Sequence, residues 1–153
     1  MGELFVFLFF GLVAVNGSYY VQLEHLDWLP FWLSVSVGLL ATAILVVNNI
    51  RDIDTDRRAG KRTLAVRLGR ERTRVVYEAC VGGAFVVLAV GLVASDGPLL
   101  ALIGVLAAPL AIRPLRAVLE RTDGPALNGA LAGTGALLGA FSLLVSLGLL
   151  IAA

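Results

Sequence analysis

Histidine and cysteine are nearly missing from this chain. His25 is the only histidine and Cys80 the only cysteine. That excludes an intrachain disulfide, a cysteine-cluster metal site and any site built from several imidazoles. Charge is scarce as well, at 15% of residues, where a soluble domain carries about 25%. The formal net charge is only +1, so there is no polyelectrolyte character and no case for a nucleic-acid partner. A basic n-region is also missing. The chain begins Met1-Gly2-Glu3 and enters an apolar run at once, which reads as a membrane span and not as a secretory signal. No low-complexity tract or internal repeat is visible.

What is present is apolar surface laid out in long runs. Apolar residues make up 59% of the 153, and mean hydropathy is +0.92. A crossing helix needs about 20 mostly apolar residues. Five segments qualify, at about 4–21, 29–50, 75–94, 98–118 and 126–153. The first is interrupted by Asn16, Gly17 and Ser18. The fourth is short, since its apolar core ends near Ile112. The fold class read from this pattern is all-α, a polytopic transmembrane helical bundle. Gly129, Gly133, Gly135 and Gly139 give two small-xxx-small pairs on the last helix, a pattern for close helix packing.

Charge sets the expected orientation. Nine of the twelve Lys and Arg residues lie between positions 51 and 74, and the other three are Arg113, Arg116 and Arg121. By the positive-inside rule those two connections face the cytoplasm, while the links at 24–27 and 95–97, which lack Lys and Arg, face outward. Five crossings then put the N-terminus inside and the C-terminus outside. Tyr19, Tyr20 and Gln22 fall at the outer end of the first span and read as an interfacial anchor.

The segment NNIRDIDTDRRAGKRT, residues 48–63, carries three aspartates and five basic residues directly after the second span. If that helix continues past the membrane surface, Asn48, Asn49, Asp52 and Asp56 share one face, within about 100°. Arg51, Asp54 and Arg58 cluster on the opposite side and read as a solvated salt-bridge ladder. Two carboxylates at i,i+4 repel unless something positive sits beside them. Oxygen-only donors suit a hard cation such as Mg²⁺, which commonly shares its coordination sphere with a substrate phosphate. The basic residues of RRAGKR would meet the phosphate oxygens, and Gly60 would turn the chain so that Lys61 and Arg62 fold back over the site. The plainer alternative is an orientation signal that also contacts lipid headgroups. A calcium loop of the EF-hand type fails, because its required Gly and Glu positions hold Arg57 and Thr63.

NNIRDIDTDRRAGKRTLAVRLG closely resembles the second aspartate-rich motif of the UbiA superfamily of intramembrane prenyltransferases. Within it, the closest likeness is to the branch that prenylates 1,4-dihydroxy-2-naphthoate in menaquinone synthesis. GELFVFLFFGLVAVNGSYYVQ, LAAPLAIRPLRAV and the helix opening ALNGAL resemble the same branch, so the likeness covers essentially the whole chain. It implies a fold of about nine transmembrane helices around a cavity open to the bilayer, with two aspartate-rich motifs holding Mg²⁺ and a polyprenyl diphosphate. By position, Asp52 and Asp56 are the catalytic carboxylates. Asp52, Asp56, Asn48 and Asn49 bind Mg²⁺ through the diphosphate, and Lys61, Arg57 and Arg62 bind the diphosphate itself. The lipid bilayer is the implied setting, in the cell membrane as a multi-pass protein.

One departure matters. The family's first motif, of the form N-x-x-x-D-x-x-x-D, is not in these residues. Residues 1–153 therefore resemble the C-terminal portion of one membrane-embedded domain, the fifth to ninth helices, and are expected to be inactive without the missing N-terminal half as partner. Two readings compete with prenyl transfer to dihydroxynaphthoate. One keeps the fold and changes the aromatic acceptor; the other is a non-catalytic membrane subunit.

Overall fold

The computed structural model describes residues 2–152. Ala153, the end of the fifth expected span, lies outside the described residues. Among these there is no strand, and five helices are long and apolar enough to cross a membrane. They are α1 (Gly2–Leu23), α2 (Trp28–Arg51), α5 (Arg70–Ala94), α6 (Leu99–Glu120) and α7 (Gly124–Ala152). Two short helices, α3 (Ile53–Arg58) and α4 (Leu64–Leu68), fill the basic connection between α2 and α5. The expected bundle and its five spans are borne out. The large apolar side chains on the outer faces, such as Phe10, Val86 and Leu150, belong in hydrocarbon, where backbone groups must be satisfied within the helices.

Helix α2 is the centre of the bundle. It buries twelve residues, among them Ser34, Gly38, Ala41, Asn49 and Ile50, and packs against α1, α5 and α7. Its start tolerates Pro30 because the first turn has no intrahelical donor role for that nitrogen. Against α1 the approach is backbone to backbone: a methyl group added at Gly11 would lie 2.6 Å from the Gly38 Cα. The polar residues that interrupt the apolar run at Asn16 do not break the helix. The Asn16 amide donates to the Leu12 carbonyl and to Ser34 Oγ, both at 2.9 Å, so the polar group is satisfied inside a continuous helix. The irregularity falls earlier, as a π-helical stretch over Phe7–Val13 that contains Gly11.

The shortness of the fourth span has a geometric answer. Leu99–Ala111 is a 3-10 helix and Ile112–Glu120 an α-helix. At about 2.0 Å rise per residue, the thirteen residues of the first part cover roughly 26 Å, close to the hydrocarbon thickness of about 30 Å. Pro109 lies inside this stretch and takes one donor out of the ladder.

Packing between α6 and α7 corrects the expectation about small residues. Gly129, Gly135 and Gly139 face open space, and Gly133 only touches Pro114. The close approach is at Gly148, where an added methyl would lie 2.6 Å from both the Ala101 Cα and the Leu100 carbonyl oxygen. Further along, Tyr77 of α5 is fully buried, and its hydroxyl meets Thr134 Oγ1 of α7 at 2.8 Å.

Candidate functional site

The helix α2 ends at Asp52, whose backbone departs from helical values (φ −92°, ψ 5°). The register nevertheless carries across the break. Asp52 N–H donates to Asn48 O at 3.0 Å and Asp56 N–H to Asp52 O at 2.8 Å. Asp52 and Asp56 therefore sit one helical turn apart, as the spacing predicts. Thr55 Oγ1 donates to the Asp52 carbonyl, satisfying it at the break.

Helix α3 closes with a Schellman turn. Gly60, at φ +71°, has its N–H on Arg57 O, and the next N–H, that of Lys61, reaches back to Asp56 O at 3.0 Å. The left-handed value is what glycine supplies without a Cβ clash. The turn returns Lys61 over the aspartates, as the sequence leads one to expect. Its Nζ lies 2.8 Å from Asp56 Oδ1, and the Asp56 carboxylate is buried. That hydrogen bond, with the Asp56 charge, raises the Lys61 pKa above its ordinary value.

The opposite face does not form the expected ladder. Arg51 turns away from Asp54 and forks onto Asp52, with Nε to Oδ1 and Nη2 to Oδ2 both at 2.8 Å. It also donates to Asn48 Oδ1 at 2.9 Å and, across the bundle, to Asn128 Oδ1 at 2.8 Å. Asp54 instead meets Arg70 at 3.4 Å and Arg57 at 3.8 Å. The physical reason is reach: where the helix ends, the guanidinium is free to take the nearer carboxylate in a bidentate fork. The face expected to carry no cation thus carries two, Arg51 and Lys61. Hydrogen bonding from Arg51, aided by the charges of Arg51 and Lys61, holds the Asp52 carboxyl below the usual carboxylate range despite its partial burial.

The two amides are held differently. A guanidinium only donates, so the Asn48 oxygen must face Arg51. Asn49 is buried and held through its nitrogen, which donates to Glu3 Oε1 of α1 at 2.6 Å. Glu3 is a site-end acid that the sequence alone does not reveal, because nothing local links it to a residue 46 positions away. Arg57 is exposed and spent partly on Asp54, and Arg62 is exposed, without an ion pair among the described residues. Of the three expected diphosphate-binding cations, the structure brings Lys61 alone onto the aspartate pair.

Two further arginines cap helix ends. Arg70 donates to the Ile50 carbonyl at 3.0 Å, and Arg74 to the Val118 and Arg121 carbonyls at 2.8 and 3.0 Å. These bonds satisfy carbonyls left over at the C-termini of α2 and α6. They also place both basic connections at one end of the bundle. Tyr19 lies at the other end, where its hydroxyl contacts Asp27 and His25 at 3.3 and 3.2 Å.

Two apolar grooves lie between α1, α2 and α7. One, of about 360 Å³, is lined by Asn48, Leu45, Ile44, Phe10 and Leu138. The other, of about 670 Å³, is lined by Val37 and Phe141 and reaches Tyr19 and Gln22. The donor set at the aspartate end of the bundle, two carboxylates and two amides, has the hard-oxygen chemistry that suits Mg²⁺. Among the described residues no three His, Cys, Asp or Glu residues gather as a metal-ligand cluster.

Residues 1–131 match the model of the UbiA prenyltransferase family. The chain is 45% identical over 134 residues to a 1,4-dihydroxy-2-naphthoate octaprenyltransferase of Mycobacterium leprae, covering 88% of this chain and 45% of that protein. It is 39% identical over 140 residues to the Escherichia coli protein of the same name, covering 90% of this chain and 46% of the other. A 2-carboxy-1,4-naphthoquinone phytyltransferase of Synechocystis is 29% identical over 125 residues, covering 82% and 41%. No solved structure matches significantly. The chain belongs to the UbiA prenyltransferase family, as the motif at residues 48–69 leads one to expect. It spans about half the length of the curated relatives it matches.

Proposed function

We propose that this chain is the C-terminal portion of an enzyme that transfers a polyprenyl group from polyprenyl diphosphate to an aromatic acceptor, 1,4-dihydroxy-2-naphthoate in menaquinone synthesis. The observation that carries the reading is the buried Asp56, with Lys61 folded over it and Asp52 one turn away, following on Asn48, which lines an apolar groove. A charged helix end beside an apolar groove suits a substrate with a diphosphate head and an isoprenoid tail. The names of the relatives from Mycobacterium leprae and Escherichia coli support dihydroxynaphthoate as the acceptor.

Asp52 and Asp56 are the residues of this chain that would hold Mg²⁺, with Asn48 and Asn49 beside them. Bound there, the ion would supply Lewis-acid neutralisation of charge on the leaving diphosphate. Lys61, hydrogen-bonded to Asp56, would transfer that bond to a diphosphate oxygen, and Arg57 and Arg62 are exposed cations within the same connection. Together they stabilise negative charge as the carbon–oxygen bond of the donor breaks. The groove side chains exclude water from the allylic cation. The electron-rich ring then forms the new carbon–carbon bond and loses its carboxylate as carbon dioxide. No protein nucleophile is required, in keeping with a chain whose only cysteine is buried in α5.

The second aspartate-rich wall belongs to the remainder of the fold, the N-terminal half. The excess of Lys and Arg at the site end supports a cytoplasmic active site and a cytoplasmic start of α1, in the cell membrane. The deciding experiment changes Asp52 and Asp56 together to Asn in the enzyme assembled with that half, and assays it with dihydroxynaphthoate, hydroxybenzoate and homogentisate side by side. Loss of transfer with all acceptors is expected. Activity that survives both changes would sink the reading and leave a non-catalytic membrane subunit, and a preference for another ring would change the acceptor alone.

A further inference from the structure

Arg51 is the last residue of α2 and the most connected side chain of the site end. Its guanidinium makes four hydrogen bonds to three residues: two to Asp52, one to Asn48 and one to Asn128, all between 2.8 and 2.9 Å. Asn48 and Asp52 lie on its own helix end. Asn128 lies 77 positions away, in the second turn of α7. No other side chain among the described residues hydrogen-bonds a site carboxylate and α7 at once. The fork needs a planar donor. A lysine ammonium is a point charge and cannot take two carboxylate oxygens and two amide oxygens in one plane.

The bonds also decide orientation. Since Arg51 can only donate, the oxygens of Asn48 and Asn128 both face it. The Asn48 nitrogen is thereby turned away from Arg51, and the Asp52 carboxylate is held in the plane of the guanidinium. The break in the helix at Asp52 would otherwise leave that carboxylate on a single turn with few constraints. Arg51 is mostly covered, with its side chain 25% exposed, which is unlike a solvated surface ladder.

We infer that Arg51 is a positioning residue: it fixes the Asp52 carboxylate and the Asn48 amide in one orientation and latches them to the start of α7 through Asn128. The inference rests on the reading of Asp52 as a group that holds the cation and diphosphate. Its consequence is that α7 takes part in setting the site, although α7 contributes no charged group to it. Residues that orient ligands from behind commonly affect metal affinity by about 10- to 100-fold when changed.

The test is a double-mutant cycle of Arg51→Lys and Asn128→Ala, with Asn128→Asp and Arg116→Lys beside it. Two readouts are taken: the melting temperature of the purified chain in detergent, and the Mg²⁺ concentration for half-maximal transfer by the assembled enzyme. Arg51→Lys should raise the Mg²⁺ requirement about 10-fold or more while kcat falls far less. Asn128→Ala should shift it in the same direction, and should add nothing, in either readout, once Arg51 is Lys. Asn128→Asp keeps the acceptor oxygen but adds a charge; it should keep the bond to Arg51, with a smaller melting shift than Asn128→Ala and non-additivity with Arg51→Lys. Arg116→Lys, at an exposed position, should change neither readout. An unmoved Mg²⁺ requirement in Arg51→Lys, or additive melting shifts in the double variant, would overturn the latch. If the native assembled enzyme transfers no prenyl group, the functional reading falls, and the melting cycle alone decides whether the latch stands.

Discussion

Lys61 Nζ lies 2.8 Å from Asp56 Oδ1, and the backbone N–H of the same lysine lies 3.0 Å from the carbonyl of the same aspartate. One residue thus closes both the helix end and the buried carboxylate. Gly60 makes this possible, because the turn that returns Lys61 needs its φ of +71°. Nothing lies within 4 Å of an added Cβ there, so a Gly60→Ala change meets no clash and tests backbone strain alone. The left-handed conformation costs an alanine about 1–2 kcal/mol. The expected result is a drop in melting temperature together with a raised KM for the polyprenyl diphosphate, with Gly60→Asn milder in both. A Gly60→Ala protein with native KM would show that the turn does not place Lys61 for substrate.

The proposed function gives Lys61 two partners, Asp56 and the diphosphate of the donor. In Lys61→Met the buried Asp56 loses its cation, and on that proposal substrate loses a donor. KM for the diphosphate donor should rise on the order of 10-fold, as for loss of a charge-assisted bond, and Lys61→Arg should recover most of it. Steady-state kinetics on the assembled enzyme decides this.

The pH dependence follows from Asp52. Its pKa is lowered in the fold by the bonds from Arg51, so its contribution to stability is fully present above the ordinary carboxylate value of about 4 and is lost as pH falls through the lowered value. The Lys61 pKa is raised by Asp56, so its contribution is present below the ordinary lysine value and is lost as pH rises through the raised one. Melting temperature should therefore be flat from about pH 5 to 9 where these two groups are concerned. Arg51→Lys should leave the Asp52 pKa less lowered, so the melting temperature should be lower on the plateau and fall by less on acidification below it.

Close packing of α6 on α7 makes a contrast between two glycines. Gly148→Val puts a branched side chain against the backbone of Leu100 and Ala101, whereas Gly135→Val points into open space. Overpacking of this kind typically costs about 1–3 kcal/mol. Gly148→Val should lower the melting temperature clearly and Gly135→Val should leave it within error. Equal effects would mean that the 3-10 stretch of α6 yields to the added volume.

Tyr77 and Thr134 join α5 to α7 by one buried hydrogen bond of 2.8 Å. Tyr77→Phe removes the hydroxyl and little volume. Hydrogen bonds between helices in lipid average about 0.6 kcal/mol, so a small loss of stability is expected, with no further loss when Thr134 is also changed to Val.

The sequence alone determined the number of crossings, because a span is a local property: about 20 apolar residues in a row suffice. It also determined that Asp52 and Asp56 share a face, because i,i+4 spacing is a property of one helix, and that Gly60 turns the chain, because the turn is made within six residues. Tertiary structure decided the rest. The partner of Arg51 depended on where α2 ends and on Asn128 arriving from α7. Glu3 reached Asn49, and Gly148 met Ala101, across separations that leave no periodic trace. The glycines at 129, 135 and 139 carry the pattern of a packing face and face open space. Local pattern sets which residues share a face, but which face meets which neighbour is settled only when the helices pack, and the latch at Arg51 is made of those meetings.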